Sequence, residues 1–124
     1  MTPTWYNLAD FLIERFPHLK HEIEAEYLGW LDTLANPYPH AFLENYLVPE
    51  LLAAARDADA GRARIAFDTL DELLAASDGD LAEATLLSVV EPIVTTPELF
   101  ALTKAFMGPR ALSMARGIIP QLSE

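Results

Sequence analysis

Residues 65–93 read IAFDTLDELLAASDGDLAEATLLSVVEPI and contain two apolar-rich runs separated by the acidic turn SDGD. In the first run, apolar side chains recur every three or four positions, as they do on the buried face of a helix. These positions are Ala66, Phe67, Leu70, Leu73 and Leu74. The second run is apolar on nearly all sides, which is typical of a helix packed between others. The stretch therefore predicts two helices, over about 62–76 and 80–92, that resemble one pair of a HEAT or armadillo array.

The same helical spacing extends through the rest of the chain. Leu8, Phe11, Leu12 and Phe16 mark a first helix, and Pro17 is placed to open a second. No useful run alternates β-branched and polar residues, and no hairpin dipeptide sits between such runs. The sequence therefore predicts an all-α fold, a compact bundle of six or seven short helices in antiparallel hairpins that forms a single domain over residues 1–124.

Prolines set several of the predicted helix boundaries. Pro49 predicts either a kink or a short turn before a helix that begins near it, because proline removes one backbone donor. Pro92 predicts a kink or an end of its helix for the same reason. The next helix is expected to begin with Thr95 or Thr96 as its cap and Pro97 in its first turn.

The charge of the chain is strongly negative. Eight lysines and arginines stand against 19 aspartates and glutamates, which gives a net charge of -11, and residues 21–55 and 65–103 contain no lysine or arginine. Such a surface repels phosphate backbones, so direct binding to nucleic acid or to an anionic membrane is not expected. Two interpretations stay open: the charge keeps the protein soluble, or it steers a basic protein partner toward it.

The sequence also favours a cytoplasmic protein. There is no cysteine, and the beginning MTPT has neither the basic region nor the apolar run of a secretory signal. No uncharged apolar stretch approaches the roughly 20 residues that cross a bilayer.

Motifs for catalysis, metals or cofactors are weak. The five glycines are scattered singly, so no glycine-rich phosphate loop is present, and no serine lies in a nucleophile motif. His18 and His21, with Glu22 and Glu24 nearby, resemble metal-ligand spacing, but we interpret them as an exposed polar stripe. We predict no enzyme activity, no metal and no cofactor.

The residues predicted to contact a partner are aromatic anchors and outward carboxylates. Aromatic side chains supply affinity at interfaces, whereas charges at the rim orient and accelerate the encounter. Asp80, with Glu83 three positions later, is interpreted first as a helix cap and second as a partner contact. The predicted set comprises Glu22, Glu26, Trp30, Tyr38, Tyr46, Asp68, Asp71, Glu72, Asp78 and Asp80.

A resemblance rests on motifs in the second half of the chain. They are a Phe-x-x-Leu-x-Glu-Leu pattern that begins at Phe67, a Ser-Val-x-Glu segment at residues 88–91 and a Met-Gly-Pro turn at residues 107–109. With them, residues 60–119 resemble a family of small, acidic, all-helical bacterial proteins, mostly uncharacterised, some of which look like immunity partners of bacterial toxins. Pro92 departs from the family pattern, in which an apolar or aromatic residue is usual. The resemblance implies a helical fold and carries over no active-site residue.

Two functions are compatible with these observations. The first is an immunity or inhibitor protein that occludes a basic face of a bacterial toxin, such as a nuclease. The second is a helical interaction module that self-associates, for example as a homodimer, through its apolar C-terminal third. The residues expected at that second interface are Leu112, Met114, Ile118 and Ile119. An enzyme or metal protein that relies on the histidines near residue 20 ranks behind both.

Overall fold

The computed structural model describes residues 1–30 and 38–119, and within residues 28–30 and at residue 38 it describes the backbone but not the side chains. The described residues form seven continuous helices and no strand. The helices are α1 (Leu8–Arg15), α2 (17–30), α3 (38–57), α4 (Ala60–Leu74), α5 (79–94), α6 (97–106) and α7 (Pro109–Ile118). The predicted all-α bundle is therefore confirmed.

The two helices predicted from residues 65–93 are α4 and α5, which pack against each other. The cap of α5 differs from the prediction. The side chain of Asp78, not that of Asp80, accepts hydrogen bonds from the N–H groups of Asp80 and Leu81, at 3.1 and 3.3 Å. Asp78 lies in extended backbone immediately before the helix, which is the geometry of a capping residue, whereas Asp80 already belongs to the first turn.

Pro49 and Pro92 lie inside continuous helices, so the predicted turn before a new helix at Pro49 and the predicted helix end at Pro92 are wrong. In each case a π-helical segment, Leu43–Leu47 or Leu86–Val90, ends two residues before the proline. An α-helical proline lacks its N–H and crowds the carbonyl four residues earlier. The wider π turn shifts the hydrogen-bond partners and lets the helix continue through the proline.

Helices α3 and α4 form the centre of the bundle. Helix α3 packs against α1, α2, α4, α5 and α6, and α4 also contacts α7. Phe11, Phe42 and Leu70 are fully buried in one continuous core. The C-terminal residues proposed for self-association are partly buried and pack against that core: Leu112, Met114, Ile118 and Ile119. The apolar face of α7 is thus used largely within the chain.

The beginning of α7 is held by a carboxylate from α4. Helix α7 follows Gly108, which has no side chain to accept from the first N–H groups of the helix. Asp71 supplies that acceptor, because its Oδ2 accepts from the N–H of Arg110 at 3.3 Å and its Oδ1 from the N–H of Ala111 at 3.1 Å. A Cβ at residue 108 would collide with this carboxylate, so the close approach requires glycine.

Within residues 1–30 and 38–119, no single helix combines the length and the apolar character needed to cross a bilayer. Residues 79–94 and 97–106 reach that length and composition only as a pair, and the two helices meet at a bend of 103°.

Candidate binding surfaces

Three of the residues predicted to contact a partner meet where α2 packs on α3. The hydroxyl of Tyr46 donates to the backbone oxygen of Glu22 at 3.1 Å and to the carboxylate of Glu26 at 3.2 Å. Asn45 donates to the same Glu26 carboxylate at 3.1 Å. These hydrogen bonds therefore hold the partly buried Tyr46 side chain against α2. The side chains of two further predicted anchors, Trp30 and Tyr38, lie outside the described residues.

The environment of Tyr46 predicts an unusual titration. Burial, reinforced by the carboxylates of Glu26 and Glu22, raises the pKa of Tyr46 to about 12. In an ultraviolet pH titration we expect a tyrosine transition near pH 12 that the Tyr46→Phe variant lacks. A titration without any transition in that range that this variant removes would contradict the placement.

The predicted carboxylates of α4 are largely engaged within the chain. Asp71 holds the beginning of α7, as described above. Glu72 forms an ion pair with Arg15 in which Oε2 and Nη2 are 2.7 Å apart. Asp68 is exposed and lies 3.8 Å from Arg64, one turn earlier on the same helix. This side of α4 therefore offers fewer unpaired charges than the sequence predicted.

Asp78 is also occupied. Besides capping α5, its Oδ2 accepts from the backbone N–H of Trp5 at 2.7 Å, a contact between residues 73 positions apart. The hydrogen bond from Trp5, followed by those from Leu81 and Asp80, lowers the pKa of the Asp78 carboxyl. Asp78 thus ties the N-terminal segment to the beginning of α5.

Asp80, by contrast, borders a small pocket of about 180 Å³. Trp5 and Leu87 give the lining of the pocket aromatic and apolar surface, and Asp80 and Glu83 also line it. None of the ion pairs in the described part of the chain involves either carboxylate. Leu87 is 47% exposed, which is unusual for a large aliphatic side chain in this fold. We call this the α5 pocket.

His40 forms one wall of the α5 pocket. Its ring packs edge-on against Trp5, with the ring centroids 5.9 Å apart, and its Nδ1 lies 2.6 Å from the Oγ of Ser88. A serine and a histidine in such contact can act as nucleophile and base. Ser88, however, is only 5% exposed, so a substrate has little access to its hydroxyl. The pair joins α3 to α5, the two helices that contain the π-helical segments, and it fixes the orientation of the imidazole.

A second groove of about 280 Å³ lies between α1 and α2. Ile13, Ile23 and Tyr27 line its apolar part, and Asp10 and Glu24 stand beside them. Both carboxylates are exposed, and no ion pair within residues 1–30 and 38–119 includes them. We call this the α1–α2 groove. Like the α5 pocket, it is lined by apolar side chains together with two exposed acids.

A third cavity, a cleft of about 620 Å³, has a different character. It is formed by α1, α2, α3 and α4 and by the residue between α1 and α2, and its lining consists of Arg15, Phe16, Pro17, His18, Glu50, Arg62 and Ile65. Its apolar walls and few convergent polar groups match the general pattern of ligand-binding sites, and its volume lies in their range of roughly 300–1,000 Å³. We call it the Glu50 cleft.

A buried carboxylate with two more exposed partners lines the Glu50 cleft. Glu50 is only 6% exposed, and its Oε1 is 2.8 Å from the Nε2 of His18. The guanidinium of Arg62 donates to both carboxylate oxygens at 3.3 Å. Burial alone would raise the pKa of Glu50, but the hydrogen bonds from His18 and Arg62 outweigh it and lower that pKa below its ordinary value. The same contacts raise the pKa of Arg62.

Sequence reasoning missed Glu50 and the partner of His18. His18 is exposed, as the interpretation of a polar stripe expects, but its ring also bonds to a buried carboxylate 32 positions away. Glu50 follows Pro49 directly, and an acidic residue after a proline is typical of the first turn of a new helix. Nothing in the local pattern pairs it with Arg62. Within the described residues, no three histidines or carboxylates are grouped so as to hold a metal ion.

Comparison with known proteins finds no matching family, no matching curated protein and no matching solved structure.

Proposed function

We propose that the protein is a non-enzymatic binding module for a basic protein partner, and that it acts as an immunity or inhibitor protein that occludes a basic face of a bacterial toxin. The observation that carries the proposal is that apolar residues and exposed carboxylates line the α1–α2 groove and the α5 pocket together, and that none of the ion pairs among the described residues involves these carboxylates. The net charge of -11 and the resemblance of residues 60–119 to acidic helical proteins support it further.

The proposed contact surface differs from the one that sequence alone favoured. Asp71, Glu72 and Asp78 already serve hydrogen bonds or ion pairs within the fold, so a partner would have to compete for them. Asp10, Glu24, Asp80 and Glu83 have no such ion pairs in the described part of the chain. A lysine or arginine of the partner would place its aliphatic stem against the apolar floor and its charged end beside these carboxylates.

The two kinds of contact have separate roles in the proposed mechanism. The exposed carboxylates attract and orient a basic surface, which acts mainly on the association rate and on its salt dependence. Leu87 and the apolar residues of the groove lose contact with water on binding, which acts mainly on the dissociation rate. Inhibition then follows from occlusion of the toxin's basic face, without any chemical step.

The rate of association tests the proposal. The partner is to be sought first among basic proteins encoded beside this gene and confirmed by co-purification. Neutralising the two carboxylates of the α1–α2 groove and the two of the α5 pocket is expected to slow association by about tenfold at low salt and to make the rate less dependent on salt concentration. This variant carries Asp10→Asn, Glu24→Gln, Asp80→Asn and Glu83→Gln.

A matched control neutralises four exposed acids elsewhere and therefore has the same net charge. It carries Glu44→Gln, Asp68→Asn, Glu91→Gln and Glu98→Gln. We expect this control to associate nearly as fast as the unmodified protein. Equal slowing of association in both variants would mean that only the overall charge matters. It would overturn the assignment of the contact surface to the α1–α2 groove and the α5 pocket. If a basic toxin encoded beside the gene neither co-purifies nor is inhibited, the immunity function itself is wrong.

A further inference from the structure

Residues 4–7, which we call the N-terminal turn, present Tyr6 to solvent immediately before α1. Tyr6 is 80% exposed, more than any other large hydrophobic side chain in the part of the chain that the structure describes. A single exposed apolar residue is ordinary on a protein surface, so this exposure alone does not make a contact site. The hydrogen bonds of the turn and the position of Tyr6 beside two cavities distinguish it.

Reciprocal hydrogen bonds hold the N-terminal turn in one conformation. The Oγ1 of Thr4 accepts from the N–H of Asn7 at 3.2 Å, and the Oδ1 of Asn7 accepts from the N–H of Thr4 at 2.7 Å. This resembles a capping box, in which two side chains satisfy each other's backbone donors. Between them, the N–H of Trp5 is tied to the carboxylate of Asp78. The backbone around Tyr6 is therefore fixed before a partner arrives, which lowers the entropy cost of binding.

Tyr6 lies close to both of the cavities that exposed acids line. Its neighbour Trp5 lines the α5 pocket, and Ala9, three positions after Tyr6, lines the α1–α2 groove. Three residues span at most about 11 Å even when fully extended, so the backbone of Tyr6 is within that distance of the groove wall. A standard interface buries about 800 Å² on each partner, roughly 30 Å across, and is wide enough to cover Tyr6 and both cavities together.

The charge on the two sides of Tyr6 selects the kind of partner. Among the described residues, no lysine or arginine lines either cavity, whereas each cavity has two exposed carboxylates in its lining. The first lysine or arginine of the sequence is Arg15, beyond the N-terminal turn and the first two turns of α1. Charge complementarity therefore favours a basic surface, and the exposed aromatic ring favours an apolar centre within it.

We propose that the α1–α2 groove, Tyr6 and the α5 pocket form one contact surface, which a single basic partner covers with an apolar patch packed on Tyr6. The inference rests on the proposed function, because it takes the same basic partner and adds how that partner is held. Tyr6 supplies affinity as a rigid aromatic anchor at the centre, since a tyrosine buries a large area at a low cost in conformational entropy. Lysines or arginines around the patch reach the carboxylates of the two cavities.

A synthetic helical peptide with leucines on one face and lysines around them serves as the probe. A peptide of about 14 residues spans about 21 Å as a helix, which is long enough to reach both cavities. Its binding to the labelled full-length protein is followed by nuclear magnetic resonance. We expect one peptide to bind per protein, and the amide signals of Asp10 and Asp80 to shift with the same dissociation constant. Two bound peptides, different dissociation constants at the two cavities, or shifts at only one of them would overturn the single surface.

Variants of Tyr6 test its central role without disturbing the fold, because its side chain is exposed. Tyr6→Ser removes the ring and is expected to weaken peptide binding by about tenfold, whereas Tyr6→Phe keeps the ring and should bind within about twofold of the unmodified protein. The matched control is Ile65→Ser, which removes a large apolar side chain that is 51% exposed in the Glu50 cleft. We expect the control to bind as the unmodified protein does. Equal weakening by Tyr6→Ser and Ile65→Ser would refute the role of Tyr6.

The result also separates this inference from the proposed function. If Tyr6→Ser binds the peptide unchanged while the shifts still concentrate at the carboxylates of the two cavities, the joint surface is wrong and the acidic contact surfaces stand. If the shifts spread evenly over exposed acids elsewhere, such as Glu44 and Glu91, the joint surface and the proposed function are both contradicted.

Discussion

Replacing Arg62 by methionine is expected to lower the free energy of unfolding by about 2–3 kcal/mol, because it removes the arginine partner of a buried carboxylate. Glu50 is 6% exposed and would keep only His18 as a charged or polar partner among the contacts described. The full cost of breaking a buried ion pair is larger, but the Arg62 side chain is 38% exposed, so solvent screens part of the interaction. Chemical denaturation at pH 7 measures the change.

Two further variants make this expectation specific. Arg64→Met changes a neighbouring arginine of the same helix whose side chain is 85% exposed, and should cost less than about 0.5 kcal/mol. Adding Glu50→Leu to Arg62→Met removes the stranded charge, and should recover at least half of the loss. If the double variant is less stable than Arg62→Met alone, Glu50 stabilises the fold through contacts other than this ion pair, and the account of the cluster is wrong.

The lowered pKa of Glu50 gives the same cluster a pH signature. A carboxyl whose pKa is lower in the folded than in the unfolded protein contributes stability above the unfolded value, and that contribution is lost as the pH falls through the folded value. The ordinary value for this group is 4.5. The Glu50→Gln variant should therefore lose less stability than the unmodified protein as the pH falls below about 4.5.

Removing the Asp71 carboxylate is the second large effect that we expect. Asp71→Ala leaves the N–H groups of Arg110 and Ala111 without their acceptor and should lower the free energy of unfolding by about 2 kcal/mol, at the upper end of the range for helix caps. The contact joins α4 to α7 across roughly 40 positions of sequence, so its loss also weakens the attachment of the last helix. Thermal unfolding followed by circular dichroism measures the effect.

The control for Asp71 lies one turn away on the same helix. Asp68→Ala removes an exposed carboxylate that lies 3.8 Å from Arg64, and should change stability by less than about 0.5 kcal/mol. Gly108→Ala tests the same contact from the other side, because its Cβ would displace the Asp71 carboxylate. Equal stability of the Asp71 and Asp68 variants would show that α7 does not depend on this cap.

Most of the fold follows from local patterns in the sequence. The apolar spacing on α4 and the nearly continuous apolar run of α5 predict the two helices at the centre of residues 65–93, and the structure contains both. Pro97 begins α6 as expected, because a proline fits the first turn of a helix. The turn at Pro49 and the helix end at Pro92, each one of two predicted alternatives, do not occur because π-helical segments relieve the clash that a proline normally causes, and no residue preference marks such a segment.

The binding surfaces follow much less from sequence, because they depend on contacts between distant residues. The spacing of Asp71 and Glu72 on α4 places them correctly near one another, but only the fold shows that α7 and Arg15 engage them. The Glu50 cleft combines residues from four helices, so no local motif announces it. Asp80 lines a pocket with apolar and aromatic side chains, and a count of charges along the sequence does not distinguish it from the other predicted carboxylates.

The most direct test of the proposed function is to map which acidic residues a basic peptide contacts. A short synthetic peptide rich in lysine and leucine serves as the probe, and backbone amide shifts of the labelled protein report where it binds. The account predicts shifts concentrated around Asp10 and Glu24 in the α1–α2 groove and around Asp80 and Glu83 in the α5 pocket. Shifts spread equally over exposed acids elsewhere, such as Glu44, Glu91 and Glu98, would show attraction by overall charge alone and would contradict it.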